Sequence, residues 1–411
     1  MTEPVTLAAL PRSSTKTSTV PLFVLTALNS MSTGIVVTGI FFVTRQGYGF
    51  DQRTNYALGA LLGAMYIVGA FAAGPVLTRL HRAGASTRAI LAGVILLLAA
   101  CTTLPSLFPG TPAAIWWLVA LYSPASGALW PIVESYVSGG RVGADLQQTI
   151  GRWNVTWSAA LVVASVGIAP LCEPHPALAI LLLGGAHVLS LAMLPWLTRE
   201  PAPHVDALGA ELDVDRVTGR KLLAVFRILL PLHTLLMNAL TPTLPGACAR
   251  LGVPAALHAM IATGWLLPRS LTFWWLAHRP GWHGSKTMPI VGGAALLAGF
   301  VTAVLAPASA TFGLPLLLVG LASFGAGCAI VYTGALYYAM AVGNAEVAAG
   351  GKHEALVGVG FLLGPSIGFL AASAVEAGWI AVDARDLAIA VPVAAIAVLG
   401  FVLAWRSSRR A

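Results

Sequence analysis

An arginine in the middle of a long apolar segment is the residue whose chemistry stands out first. Arg269 lies in the run GWLLPRSLTFWWL, nine residues before His278, where polar sequence resumes. At 1.5 Å per helical residue, that is about 13 Å from a helix end. A charge at the centre of a membrane helix costs about 2.5 to 3.5 kcal/mol on insertion scales. Arg269 therefore predicts a site for an anion or a hydrogen-bonding solute; the alternatives are a carboxylate partner or backbone carbonyls between helices.

Acidic and basic side chains also stand at the ends of apolar segments. Glu134 lies near the end of one segment in ALWPIVESYVSGG, and Arg152 opens the next. Lys352 and Glu354 open a later segment in GGKHEALVGVG. Opposite charges at such places can attract each other strongly before the cost of desolvation is subtracted. The alternatives are ordinary interfacial charges near lipid headgroups and direct proton carriage by Glu134 or Glu354.

Polar and aromatic side chains recur at helical spacing within the apolar segments. Asn29 and Thr33 stand four residues apart, as do Trp153 and Trp157. Facing a common cavity, such side chains suit a small organic solute with a ring or hydroxyl groups. Taken singly, each also suits interhelical hydrogen bonding or an interfacial aromatic belt, and His233 could relay protons. The predicted cavity residues are Asn29, Thr33, Tyr122, Ser126, Trp157, His233, Asn238, Trp265, Arg269 and Tyr332.

Membrane helices must position these residues, because the chain is apolar nearly end to end. Hydrophobic residues make up 57% of the 411 residues, charged residues only 9%, and mean hydropathy is +0.83. Soluble domains carry about 25% charged residues. A run of about 20 apolar residues crosses the hydrocarbon layer as one helix, with its backbone polar groups paired. We expect an all-α integral membrane fold with twelve transmembrane helices at roughly 20–44, 55–78, 87–108, 113–138, 150–171, 176–197, 221–242, 255–277, 287–306, 312–342, 352–375 and 386–405.

The net charge of +8 follows from membrane topology and requires no nucleic-acid partner. With both termini placed inside, 17 of the 23 Lys and Arg residues fall in inside loops and tails. The outside loops hold only Arg45, Arg53, Arg250 and Arg385. Loops on the cytoplasmic side carry this kind of excess. We therefore expect a multi-pass protein of a bacterial-type cytoplasmic (inner) membrane with both termini cytosolic.

The chain nearly repeats itself at a spacing of 200 residues. Arg79 and Gly84 in one loop correspond to Arg279 and Gly284 in another. Two similar membrane halves in tandem are typical of secondary transporters. A polar stretch, REPAPHVDALGAELDVDRVTGRK, separates the halves. We predict two pseudo-symmetric six-helix bundles joined by a cytosolic linker, with bounds 1–198, 199–220 and 221–411.

The loop after helix 2, GPVLTRLHRAGASTR, resembles the loop motif of the major facilitator superfamily. Thr78 stands where that family usually has an aspartate, which removes the charge contact expected from that position. The equivalent loop after helix 8, WWLAHRPGWHGSK, is a degenerate copy.

The resemblance implies two six-helix halves around a central cavity that opens to one side at a time. Helices 1, 4, 7 and 10 would line the cavity, and 2, 5, 8 and 11 would lie between the halves. The glycine and basic positions of the motif are matched by Gly74, Arg79, Arg82, Gly84 and Arg88.

The same resemblance implies a latch between the halves. The sugar-porter branch of the family uses acidic and basic residues at inner helix ends, and this chain has such residues at similar positions. An ion-pair network there would form when the inside is closed and break when it opens. The predicted gate and latch residues are Arg79, Arg82, Glu134, Arg152, Arg279, Lys352 and Glu354.

Glycines in helix 11 bear on the class of transporter. The run GVGFLLGPSIGF, with Gly360, Gly364, Pro365 and Gly368, resembles a motif that drug antiporters of the family carry in helix 5. Helix 5 of this chain, SAALVVASVGIAP, lacks that motif. We therefore predict that the glycines of helix 11 serve close helix packing.

The resemblance implies a secondary transporter of a small organic solute, embedded in the lipid bilayer, and not an enzyme. The sequence has no ATP-binding loop, and its apolar segments show no His/Glu metal cluster or Ser/His/Asp constellation. No catalytic residue, metal or cofactor is predicted. Open alternatives are a drug or metabolite efflux antiporter, a facilitator and a transporter-like sensor that does not transport. Whether transport is coupled to a proton is also left open, although the apolar segments contain few carboxylates.

Overall fold

The computed structural model describes residues 16–203, 216–342 and 347–410. These residues are almost entirely helical and contain no β-strand, which confirms the all-α class. The central part of the predicted linker 199–220 lies outside the described residues.

Twelve long helical segments follow one another, and we number them α1 to α12. α1 consists of Thr19–Gly34, a π-helical turn at Ile35–Gly39 and the continuation Ile40–Gly47; α2 is Gln52–Arg82, α3 Thr87–Cys101, α4 Pro112–Ser138, α5 Gly143–Ile168 and α6 Pro176–Ser190. α7 is Arg216–Leu240, α8 consists of Ala255–Ala262 and Leu266–His278, α9 is Thr287–Leu305, α10 Gly313–Val342, α11 Val347–Glu376 and α12 Arg385–Arg410. Short helical pieces extend or connect these segments at Leu104–Leu107, Ala169–Leu171, Leu191–Trp196, Thr241–Thr243, Leu244–Arg250, Pro280–Trp282, Ala306–Ala308 and Val382–Ala384.

Several helices extend beyond the apolar segments that predicted them. α5 begins at Gly143 instead of residue 150, α11 at Val347 instead of 352, and α2 ends at Arg82 instead of 78. Hydropathy marks the part of a helix that lipid surrounds. The helix itself continues into polar sequence as long as backbone hydrogen bonds can form.

Ten of the described helices are long and apolar enough to cross a membrane, judged by length and composition. α4 and α8 are not among these ten. α4 carries prolines, serines and Glu134, which lower its hydropathy, and α8 is divided into two shorter pieces. The prediction of one continuous helix at 255–277 was therefore wrong. Together the twelve segments form a multi-pass, all-α membrane fold.

Two helix pairs join the first six helices to the last six. α2 packs along α11, and α5 packs along α8. At Gly63 of α2, an added Cβ would lie 2.3 Å from the backbone nitrogen of Leu362 on α11. Only a residue without a side chain allows this approach. Helices 2, 5, 8 and 11 thus lie where the two parts of the chain meet, as expected, and the structure shows how they pair.

The glycines of helix 11 do serve close packing, as predicted. A Cβ at Gly360 would lie 2.0 Å from Thr234 on α7, and one at Gly364 would lie 2.8 Å from Asn238. On another face, a Cβ at Gly368 would meet the ring of Tyr56 on α2. Small residues let membrane helices approach each other closely, which increases their dispersion contacts.

Contacts between the first and last six helices also lie toward both ends of the bundle. We call the end at which α1 begins and α12 ends the terminal end; α4 also ends there, and α11 begins there. At the terminal end, α4 packs against α11. At the opposite end, Arg53 of α2 and Glu376 of α11 form an ion pair at 2.6 Å.

Candidate functional site

A cavity of about 130 Å³ lies between the first six and the last six helices. α1, α4, α7 and α10 line it, as expected, but α2, α5, α8 and α11 contribute as well. The lining residues are Ser30, Thr33, Gly34, Val37, Tyr66, Trp130, Trp153, Trp157, Leu161, His233, Thr234, Met237, Arg269, Tyr332, Glu354, Val357 and Phe361.

Arg269 lies between two indole rings at the wall of this cavity. Its guanidinium carbon is 4.6 Å from the ring centroid of Trp157 on α5 and 4.6 Å from that of Trp265 on α8. Its Nε donates a hydrogen bond to the hydroxyl of Ser158 at 3.2 Å. Its Nη2 has no hydrogen-bond partner, and no carboxylate of a described residue lies within 4.0 Å. Arg269 is thus buried, with no carboxylate of the described residues to balance its positive charge and no acceptor for the N–H groups of Nη2.

The break in α8 positions Arg269. The helix stops at Ala262 and resumes at Leu266, so Arg269 stands in the first turns of the second piece. Opposite the break, a Cβ at Gly325 of α10 would lie 2.2 Å from the carbonyl oxygen of Trp265. α10 therefore packs directly on the backbone of the break. The positive end of the helix dipole points into the same region as the guanidinium.

Tyr332 of α10 is the centre of an aromatic cluster beside Arg269. Its ring centroid is 5.3 Å from that of Trp157 and 6.3 Å from that of Phe273, both edge-on. The rings of His233 and His353 lie 6.4 and 5.4 Å away. Neither ring nitrogen of His233 has a hydrogen-bond partner among the described residues. The cavity therefore combines aromatic faces with free hydrogen-bonding groups.

Two carboxyl groups and an imidazole meet at the terminal end of the cavity. Glu134 of α4 approaches His353 and Glu354 of α11, with one possible ligand atom of each within 4.8 Å of the others. The three side chains are 2%, 4% and 3% exposed. The hydroxyl of Tyr66 on α2 donates a hydrogen bond to Glu354. Because its members lie on two helices far apart in the chain, no His/Glu cluster is recognisable in the sequence.

The predicted latch does not form as an ion-pair network among the described residues. Glu134 and Glu354 face each other, whereas Arg152 and Lys352 are exposed and pair with neither. Residues two apart on a helix are separated by about 200°, so Lys352 points away when Glu354 points inward. The other predicted basic members of the latch are also exposed, namely Arg79, Arg82 and Arg279.

Five of the ten predicted cavity residues line the cavity, namely Thr33, Trp157, His233, Arg269 and Tyr332. A sixth, Trp265, is not part of the lining, but its ring contacts the guanidinium of Arg269. The structure places the other four predicted cavity residues elsewhere. Bundle helices bury several faces, and helical spacing does not distinguish a cavity face from a packing face. These four residues are Asn29, Tyr122, Ser126 and Asn238.

Asn29 and Tyr122 belong to a hydrogen-bond network within the first six helices. His187 of α6 connects them, with Nε2 2.7 Å from the Tyr122 hydroxyl and Nδ1 2.7 Å from the side-chain oxygen of Asn29. Asn29 also donates to Ser190 at 2.9 Å. Asn238 donates to the carbonyl of Thr234 within its own helix at 2.9 Å. These polar groups serve helix packing in the described structure.

Sequence reasoning missed several residues of the cavity. Tyr66 lies within the apolar run of α2 and carries no charge or motif that singles it out. His353 stands between Lys352 and Glu354 at the start of an apolar segment, and no spacing in the sequence marks it as a site residue. Phe361, whose ring meets that of Tyr66 at a centroid distance of 5.3 Å, is an ordinary apolar residue by type. Their role follows from which helices meet, which sequence spacing does not report.

Solved transporter structures share this arrangement of helices along nearly the whole chain. The crystal structure of the human organic anion transporter MFSD10 (TETRAN) matches with a TM-score of 0.65 and 16% identity, covering 94% of this chain and 98% of that one. The nucleoside transporter NupG matches with a TM-score of 0.63 and 14% identity, covering 95% and 99%. This chain shares the fold of these solved transporters. No protein-family model matches the chain, and no curated protein matches it by sequence.

The shared fold agrees with the arrangement already described. It brings six helices from each part of the chain around one cavity, with α2 against α11 and α5 against α8. The similarity expected from the loop motif of Gly74–Arg88 is thus confirmed at the level of the fold. At 14% to 16% identity the comparison carries no information about individual site residues.

Proposed function

We propose that this protein is a secondary transporter that moves a small organic anion with a planar, apolar part by alternating access. The observation that carries this proposal is Arg269, buried between Trp157 and Trp265 with Nη2 unpaired. A carboxylate of the solute would supply the missing acceptor and the missing negative charge.

The energetics favour an anion over a neutral solute. A buried charge without a partner is destabilising, whereas a charge-assisted hydrogen bond between guanidinium and carboxylate is about twice as strong as a neutral one. The indole rings compensate part of the cost through cation–π attraction, about 2 kcal/mol where water is excluded. They leave the edge of the guanidinium free, and this edge is where a carboxylate binds.

The other cavity residues suit the remainder of such a solute. Tyr332, Trp157 and Phe361 present aromatic faces and edges, and His233 offers unpaired ring nitrogens. The volume of about 130 Å³ fits a solute with one small ring. Of the two structural neighbours, MFSD10 is an organic anion transporter, which agrees with an anionic solute, and NupG is a nucleoside transporter.

Alternating access is the mechanism that this arrangement supports. We propose that the bundles at 1–198 and 221–411 rock about the α2–α11 and α5–α8 contacts, with 199–220 as the cytosolic linker. Opening the opposite end would separate Arg53 from Glu376, and opening the terminal end would separate α4 from α11. The excess of Lys and Arg on the loops of the terminal end supports our assignment of that end to the cytosolic side of a bacterial-type inner membrane.

The test compares aromatic carboxylates with their neutral amides on purified protein. We expect benzoate to raise the thermal midpoint of the wild type, and benzamide to leave it unchanged. A ligand at 100 times its dissociation constant stabilises the native state by about 2.7 kcal/mol. Arg269→Gln should abolish the shift, whereas Arg227→Gln, which removes an exposed charge from a span helix, should retain it.

Transport is then measured by counterflow of the stabilising acid into proteoliposomes. Equal binding of acids and amides, or an unchanged shift in Arg269→Gln, would contradict the anion assignment. Binding without counterflow would contradict transport and favour a non-transporting sensor.

A further inference from the structure

We propose that Glu134, His353 and Glu354 form a binding site for a divalent transition-metal ion such as Zn²⁺, which connects α4 to α11. This site is distinct from Arg269 and goes beyond the proposed transport function. Each residue contributes one ligand atom, and these three atoms lie within 4.8 Å of one another.

When both carboxyl groups of the cluster are ionised, their charge is not compensated by a basic side chain. Glu134 and Glu354 are both buried, and no lysine or arginine of the described residues lies within 4.0 Å of either carboxylate. No hydrogen-bond donor among those residues reaches either oxygen of Glu134. Like charges in such a site disfavour each other strongly. One shared proton would remove one of the two negative charges, whereas a divalent ion compensates both.

The imidazole argues for a metal and against a proton alone. Nε2 of His353 is buried and has no hydrogen-bond partner among the described residues. A proton shared by the two carboxyl groups would leave this nitrogen unsatisfied. A metal ion bound by two carboxylate oxygens and one imidazole nitrogen satisfies all three side chains. This mixture of ligands suits Zn²⁺, Co²⁺ or Mn²⁺, whereas Mg²⁺ prefers an octahedral shell of oxygen atoms.

The distances allow such an ion to bind with small side-chain movements. Ligands about 2.1 Å from a tetrahedral zinc ion are about 3.4 Å apart. The present spacing of at most 4.8 Å exceeds that value by at most about 1.4 Å, which is within the reach of a change in side-chain rotamer. The fourth position would be left to water, as in open zinc sites.

The surrounding structure supports the cluster. A Cβ at Gly350 would lie 2.7 Å from Oε2 of Glu134, so the absence of a side chain there lets the carboxylate reach α11. The hydroxyl of Tyr66 holds Glu354 from the other side. Hydrogen bonds of this kind orient metal ligands. Glu354 also lines the central cavity, so the cluster borders that cavity.

Bound metal would hold the terminal end closed, because α4 belongs to the first six helices and α11 to the last six. Zn²⁺ should therefore stabilise the protein and, if the proposed transport function is correct, slow transport. The binding measurement does not depend on transport, so the two proposals can fail separately.

The experiment uses the full chain, purified in detergent and stripped of metal with EDTA. We expect Zn²⁺ to raise the thermal midpoint of the wild type and Mg²⁺ at the same concentration to leave it unchanged. Glu134→Gln and His353→Gln should each weaken Zn²⁺ binding at least about tenfold, since even loss of a residue that only orients a ligand costs 10- to 100-fold. The exposed residues Glu173 and His278 provide matched controls, and Glu173→Gln and His278→Gln should bind as the wild type does.

Co²⁺ provides a second measurement that does not depend on loss-of-function variants. We expect the wild type to give the visible absorption of a four-coordinate Co²⁺ site, and His353→Cys to add a thiolate-to-metal charge-transfer band. The proposal is overturned if the wild type binds neither ion, or if Glu134→Gln and His353→Gln bind Zn²⁺ unchanged. It is also overturned if lowering the pH without Zn²⁺ raises the thermal midpoint as much as Zn²⁺ does, because the cluster would then hold a proton.

Discussion

The guanidinium carbon of Arg269 on α8 lies 4.6 Å from the ring centroid of Trp157 on α5. A buried cation of the last six helices therefore rests on an aromatic ring of the first six. Both side chains stand at the α5–α8 contact, about which we propose that the two halves rock. The proposed solute would therefore bind where the two halves meet.

Trp157→Leu should weaken binding of the stabilising carboxylate by up to about 30-fold. The substitution removes a desolvated cation–π contact worth about 2 kcal/mol, so that Arg269 is less well positioned. Dissociation constants from thermal-shift titrations measure the effect. Trp117 is 62% exposed on α4, and Trp117→Leu should leave the affinity unchanged. Equal losses in both variants would show that the effect is not specific to the site.

Glu134→Gln should raise the thermal midpoint of the metal-free protein. The substitution removes one of two facing carboxylates, and the introduced amide can donate a hydrogen bond to Glu354, worth about 1.5 to 3 kcal/mol. The measurement is thermal unfolding in EDTA, with Glu173→Gln as the exposed control. A fall in the midpoint would instead support the ion-pair latch that the sequence predicted, because a pair loses stability when one partner is neutralised.

Gly63→Ala should destabilise the protein by about 1 to 3 kcal/mol, the cost usual for overpacking. The added methyl group would meet the backbone of Leu362 on α11, which cannot move aside as a side-chain end can. Gly93→Ala is the control, since a Cβ there meets nothing within 4 Å. That change should be neutral or slightly stabilising because alanine favours the helix. Equal midpoints for the two variants would contradict the close α2–α11 contact.

Tyr122→Phe should destabilise the protein by about 1 to 3 kcal/mol without changing affinity for the carboxylate. It leaves Nε2 of His187 buried without its partner, within a network that does not line the cavity. Tyr48 has a buried hydroxyl without a hydrogen-bond partner among the described residues, so Tyr48→Phe should be close to neutral. Thermal unfolding and ligand titration of both variants check this. A large loss of affinity in Tyr122→Phe would return Tyr122 to the solute site.

The site was only partly predictable. Arg269 was singled out because a charge in an apolar segment is costly wherever the segment packs. Asn29 and Tyr122 were assigned to the cavity on polarity alone, and in the structure His187 binds both. Polarity indicates that a buried group needs a partner, but it does not identify that partner.

The sequence by itself determined the number of long helices, the all-α membrane class and the presence of a buried cation. These features depend on local composition, because apolar length and charge placement decide how a segment meets a bilayer. Only the tertiary structure decided that α8 breaks before Arg269 and that Glu134 faces Glu354 instead of a basic residue. Those outcomes depend on which helix faces meet. Contacts between residues more than 200 positions apart are set by close packing of whole helices, and spacing along the chain does not encode them.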